Sequence, residues 1–91
     1  MYRVIDNRGS GKTGRLMLLA KENNGVLVCS NPDAMRYKAR AYGLVGFDIV
    51  SYRDFVDKNY ETEKPVFIDE LELFLKREFG NFAGYSLTNE D

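Results

Sequence analysis

Histidine and tryptophan are missing from the 91 residues, and cysteine occurs once. Without histidine there is no Ser-His triad, no imidazole acid–base catalysis and no His-based metal site. A lone Cys29 excludes an internal disulfide framework. Its place in an apolar run reads as a small buried hydrophobe. No apolar run approaches the roughly 20 residues of a membrane span, and no signal-peptide pattern opens the chain. The expected setting is a reducing cytoplasm. A formal net charge of −1 gives no global basic field of the kind that nucleic-acid binders carry.

What is present is an ordinary folded composition, 44% hydrophobic and 30% charged, with no signature of disorder. The length fits a single domain over residues 1–91. Chains of this size bury only about 60% of their unfolded surface, so the core must be thin.

Apolar runs alternate with helical periodicity along the chain. YRVI (2–5) reads as a first strand. Leu16, Leu19 and Ala20 then recur at helical spacing, up to a stop at Asn24-Gly25. VLVCS (26–30) is continuously apolar, as expected for a strand buried on both faces. Asn31 and Pro32 open a helix with Met35, Ala39 and Tyr42 along one side, and Gly43 ends it. FDIVS (47–51) is a third strand, and Ser51 with Asp54 resembles a capping box that opens a short helix to about Asn59. PVFID (65–69) is a fourth strand. Leu71, Phe74, Leu75 and Phe79 then form a helix face that ends at Gly80, and GYSLT (84–88) reads as a fifth strand. The pattern predicts an α/β fold, a three-layer sandwich around a mainly parallel sheet of about five strands.

Parallel sheets place ligands at the carboxyl ends of their strands. Gly9-Ser10-Gly11-Lys12-Thr13 falls at such an end, between the first strand and its helix. Glycines there let successive backbone N–H groups curl around phosphate oxygens, and the helix N-terminus adds partial positive charge. Lys12 would reach the β- and γ-phosphates, and the Thr13 hydroxyl would ligate Mg²⁺. The full pattern G-x-x-x-x-G-K-[ST] begins with glycine, where this chain has Asp6. A plain turn followed by an exposed lysine is the bland alternative.

PVFIDEL (65–71) supplies a second half. A carboxylate at Asp69 can hold the Mg²⁺ shell, and Glu70 beside it can orient an attacking water. Many strands end in a solvated acid for no catalytic reason. What gives the pair weight is the order of the two segments and their places between elements.

RGSGKT resembles the Walker A motif of P-loop NTPases, and VFIDE looks like Walker B. The glutamate beside the aspartate is similar to the branch that includes RecA-like ATPases, helicases and packaging motors. VLVCSNP and DIVSYRDF resemble segments between those motifs in superfamily 2 helicases. Arg8 before GSGKT is similar to the loop of phage terminase ATPases. The resemblance implies a truncated P-loop NTPase core, similar to small phage-encoded ATP-binding proteins. Its implied ligand is Mg-nucleoside triphosphate, most simply ATP, bound by Arg8, Gly9, Ser10, Gly11, Lys12, Thr13 and Gly14. Thr13 and Asp69 would hold the metal, and Lys12 and Glu70 would act in hydrolysis. Thr88 and Asn89 fall where the family often places a γ-phosphate sensor. Since nothing follows Asp91, a complete helicase or motor is not expected of this chain alone.

Arg36 and Arg40 share a helix face, near Lys38. Tyr37, Tyr42, Tyr52 and Tyr60 are of a type that stacks bases, although tyrosines at helix edges commonly pack half-buried. Three functions stay open at this point. They are a slow or partner-stimulated ATPase acting with a homo-oligomer or protein partner, a non-catalytic P-loop interaction module, and a helicase-derived nucleic-acid-binding accessory.

Overall fold

The computed structural model describes residues 3–5, 11–57 and 63–88. Along them run α1 (Lys12–Glu22), β1 (Val26–Cys29), α2 (Pro32–Ala41), β2 (Asp48–Ser51), α3 (Tyr52–Asp57), β3 (Val66–Ile68) and α4 (Leu71–Phe79). The strands form one parallel sheet in the order β2-β1-β3. Val26 pairs with both Asp48 and Val66, and Val28 with both Val50 and Ile68.

Central β1 is buried at every position, as its unbroken apolar run requires. Its alternate residues feed two cores. Leu27 and Cys29 join Leu16, Met17 and Ala20 of α1, Met35 and Ala39 of α2, and Phe67. Val26 and Val28 meet Tyr52 of α3 and Phe74 of α4. The chain steps outward from β1 to β2, then back across β1 to β3. Right-handed crossovers in opposite directions put their helices on opposite faces, which gives the α/β/α layering. Each core side chain of Leu or Met size contributes about 1.5–3 kcal/mol by leaving water.

Local signals end the elements as their chemistry dictates. The Asn31 side chain accepts from the Ala34 N–H at 3.1 Å, with Pro32 in the first turn of α2. Ser51 Oγ accepts from the Asp54 N–H at 3.0 Å at the start of α3. Gly80, at φ 98°, stops α4. Gly25 marks a close approach: a Cβ there would stand 2.7 Å from the Pro65 carbonyl oxygen and 2.8 Å from the Phe67 ring. Any side chain would push the α1–β1 turn off β3.

The α/β class and the parallel sheet agree with expectation, but the strand number does not. The sheet among the described residues has three strands rather than about five. Residues 3–5 and 80–88 have no regular secondary structure. A strand on a half-buried sheet must bury alternate side chains, and every residue from 80 to 88 is exposed. In residues 3–5 Val4 packs against the core between exposed Arg3 and Ile5, but among the described residues they pair with no strand, and Tyr2 lies outside those residues. Arg3 Nη2 donates to the Thr88 carbonyl at 2.6 Å, so the two segments meet through a side chain rather than a ladder. The expected extension of α3 to Asn59 lies partly outside the described residues. No helix among the described residues is long and apolar enough to cross a membrane.

Candidate functional site

Two segments far apart in sequence meet where β3 ends and α1 begins. Thr13 Oγ1 donates to Asp69 Oδ1 at 3.3 Å across 56 residues of chain. Beside it, Lys12 Nζ lies 3.2 Å from Glu70 Oε1. These four side chains are among those the sequence singles out. Each is placed by an element end: Lys12 and Thr13 by the first turn of α1, Asp69 and Glu70 by the corner between β3 and α4.

Among the described residues, no side chain caps the N-terminus of α1. Its cap is Gly11, at φ 83°, with no side-chain hydrogen bond to the first-turn amides, and no acid lies in that turn. Such amides carry partial positive charge and lack an intrahelical partner. A residue with a Cβ at Gly11 would be strained by about 1–2 kcal/mol in this left-handed conformation. Gly14 is half-buried inside α1.

The acidic corner is held from several sides. The Asp69 N–H donates to the Val28 carbonyl at 2.9 Å, which carries the strand alignment one residue beyond β3. Glu70 adopts φ 55°, ψ 64° and forms the N-cap of α4 without a side-chain cap bond. The left-handed region costs a residue with a Cβ about 1–2 kcal/mol, and such outliers gather at functional corners. Burial raises the Asp69 carboxyl above its ordinary value. The Thr13 hydroxyl bond and the Lys12 and Lys38 charges pull it back, while Glu70 pushes it further up.

That shift has a sign. A carboxyl whose folded pKa exceeds its unfolded pKa costs the fold stability once pH rises through both values, and the cost disappears below them. Asparagine keeps an oxygen for Thr13 and does not titrate. The metal-free Asp69→Asn protein is therefore expected to melt a few degrees above wild type at pH 7, with the difference shrinking in acid. Thermal melts at pH 7 and pH 4 check this. A lower Tm for the variant at pH 7 would contradict it.

Of the other site residues expected from sequence, Arg8, Gly9, Ser10 and Asn89 lie outside the described residues, as does Asp6. Thr88 is exposed, and its carbonyl meets Arg3. Among the described residues no three His, Cys, Asp or Glu side chains gather as a metal cluster. The facing oxygens of Thr13 and Asp69 are hard donors, suited to Mg²⁺, which keeps several waters and binds phosphate oxygens for the rest.

Cys29 is buried as expected, and burial pushes its thiol up to about 11. Tyr37 and Tyr42 are exposed. Tyr52, considered above for base stacking, is corrected: it is 3% exposed and packed edge-on against Phe74 at 5.1 Å, so no base can reach its ring. Its hydroxyl approaches the Asp69 carbonyl oxygen at 2.5 Å and that of Glu70 at 3.2 Å. Sequence reading missed this role, and only the adjacency of a tyrosine to the end of β2 hints at it. Arg36 and Arg40 line a groove of about 260 Å³ with Leu44, Val45, Phe47 and Ile49, which shares no residue with the candidate site.

No protein-family model, curated protein or solved structure matches this chain.

Proposed function

We propose that this protein binds a Mg-nucleoside triphosphate, most simply ATP, at the junction of α1 and β3, and hydrolyses it slowly unless a partner assists. The observation that carries this reading is the meeting of Lys12 and Thr13 with Asp69 and Glu70 at the carboxyl end of the sheet. In this reading the chain carries a reduced P-loop core, with Arg8, Gly9, Ser10, Gly11 and Gly14 completing the backbone cradle.

The first-turn amides of α1 bind phosphate oxygens, and Lys12 exchanges its contact with Glu70 for the β- and γ-phosphates. Thr13 and Asp69 would hold Mg²⁺, which would supply charge neutralisation at the phosphate oxygens. Glu70, released from Lys12, accepts a hydrogen bond from a water and directs it toward the γ-phosphorus. Phosphoryl transfer asks mostly for positioning and charge neutralisation, so these groups are enough for a slow reaction. A non-catalytic module would bind the same ligand and release no phosphate.

Mg-ATP at about 100 times Kd should stabilise the fold by about 2.7 kcal/mol, or about 10–20 °C in Tm for a domain of this size. Lys12→Ala should lose most of that shift. A thermal melt with and without saturating Mg-ATP and Mg-GTP checks it. An unmoved wild-type Tm with both ligands would end this reading.

A further inference from the structure

The two residues that carry the carboxylates of the site have their carbonyl oxygens at one buried hydroxyl. Tyr52 opens α3 directly after Ser51, the last residue of β2. Its hydroxyl lies 2.5 Å from the Asp69 oxygen and 3.2 Å from the Glu70 oxygen. A phenol has one proton, so the shorter contact is the main bond and the longer one a shared branch. A tyrosine hydroxyl keeps its proton at neutral pH and is a donor here.

We propose that Tyr52 is a positioning residue for this site: its hydroxyl fixes the Asp69–Glu70 peptide so that Glu70 faces Lys12 and Asp69 faces Thr13. The proposal rests on the nucleotide reading above.

The corner needs such a restraint. Glu70 sits in a backbone region that a glutamate rarely adopts, and such a residue persists only where its surroundings over-determine it. Three bonds do so: Asp69 N–H to the Val28 carbonyl, Phe74 N–H to the Glu70 carbonyl at 3.0 Å, and the Tyr52 hydroxyl to the Asp69 carbonyl. The first two are backbone bonds that any sequence supplies. The third depends on one side chain and ties the end of β2 to the end of β3 across β1. A tyrosine that merely filled the core would need no hydroxyl, since phenylalanine packs against Phe74, Val26 and Val28 equally well.

Tyr52→Phe removes the oxygen and keeps the ring. In the unliganded protein, amide exchange at residues 69–71 should quicken about tenfold, the effect of one lost hydrogen bond, while the β1 amides stay unchanged as a control for the fold. With Mg-ATP, the single-turnover rate should fall about tenfold while Kd stays within about twofold of wild type. Unchanged exchange at the corner would overturn the proposal. So would faster exchange with an unaltered turnover rate, or loss of protection spread equally over β1. A wild-type protein that binds no nucleotide would defeat the functional reading instead. Corner exchange in the unliganded protein would still decide whether Tyr52 holds the Asp69–Glu70 peptide.

Discussion

Glu70→Gln is expected to lower turnover of bound Mg-ATP by about 10²–10³-fold, within the range that a positioned general base contributes. Binding should survive. The amide keeps the volume of the side chain but loses the charge that polarises a water. In the unliganded protein Glu70 also holds Lys12 at 3.2 Å, with the side chains 27% and 46% exposed. A pair this exposed is worth about 1 kcal/mol at most. Releasing Lys12 should therefore tighten nucleotide binding by no more than about fivefold. Single-turnover phosphate release and equilibrium titration on the same protein separate the two effects. Equal loss of binding and turnover would make Glu70 a structural cap of α4 and nothing more. Glu70→Gly relieves the left-handed backbone, so it should match Glu70→Gln in lost turnover while melting higher than wild type.

The second large effect is a gain. An arginine supplied from outside the cradle should raise turnover about 10³–10⁵-fold, the usual worth of such a group at a γ-phosphate. Several arginines of this chain are engaged elsewhere in the unliganded protein. Arg36 bonds Asp33 and the Ile49 carbonyl, Arg53 pairs with Asp57 and Glu78, and Arg3 bonds the Thr88 carbonyl. Among the described residues, the four side chains gathered at the site are one lysine, one threonine and two acids, so Lys12 is the cation that these four bring to charge developing on the γ-phosphate oxygens. Turnover per chain should therefore rise with protein concentration if copies associate, or on addition of a partner bearing the arginine. Measured across a dilution series, with and without single- and double-stranded nucleic acid, fast turnover that persists in demonstrated monomers would contradict this.

The elements around the site are legible in the sequence because each rests on a strong local preference. VLVC has no polar face, so it can only be central. Asn31-Pro32 and Ser51 with Asp54 cap helices through bonds made within three residues. Lys12, Thr13, Asp69 and Glu70 are recognisable by type and order, and the structure brings them together. The outer segments are not legible in the same way. YRVI and GYSLT have apolar residues at strand-like spacing, yet Ile5, Tyr85 and Leu87 stay in water. Spacing states which residues want burial, not whether a three-strand sheet has room for them. The left-handed Glu70 and the Tyr52 hydroxyl bond are equally hidden. Both arise from a backbone corner assembled across 17 and 18 residues. Propensity alone would place a glycine at such a corner and leave a tyrosine's ring in the core.

The central claim is that a nucleoside triphosphate with Mg²⁺ binds where α1 meets β3. Calorimetric titration of the wild-type chain with Mg-ATP, repeated with Mg-GTP, with EDTA and with Lys12→Ala, tests it most directly. The account predicts one saturable site per chain for at least one triphosphate, weakened by EDTA and lost in Lys12→Ala. Absence of saturable binding to either nucleotide, or equal binding by wild type and Lys12→Ala, would contradict it.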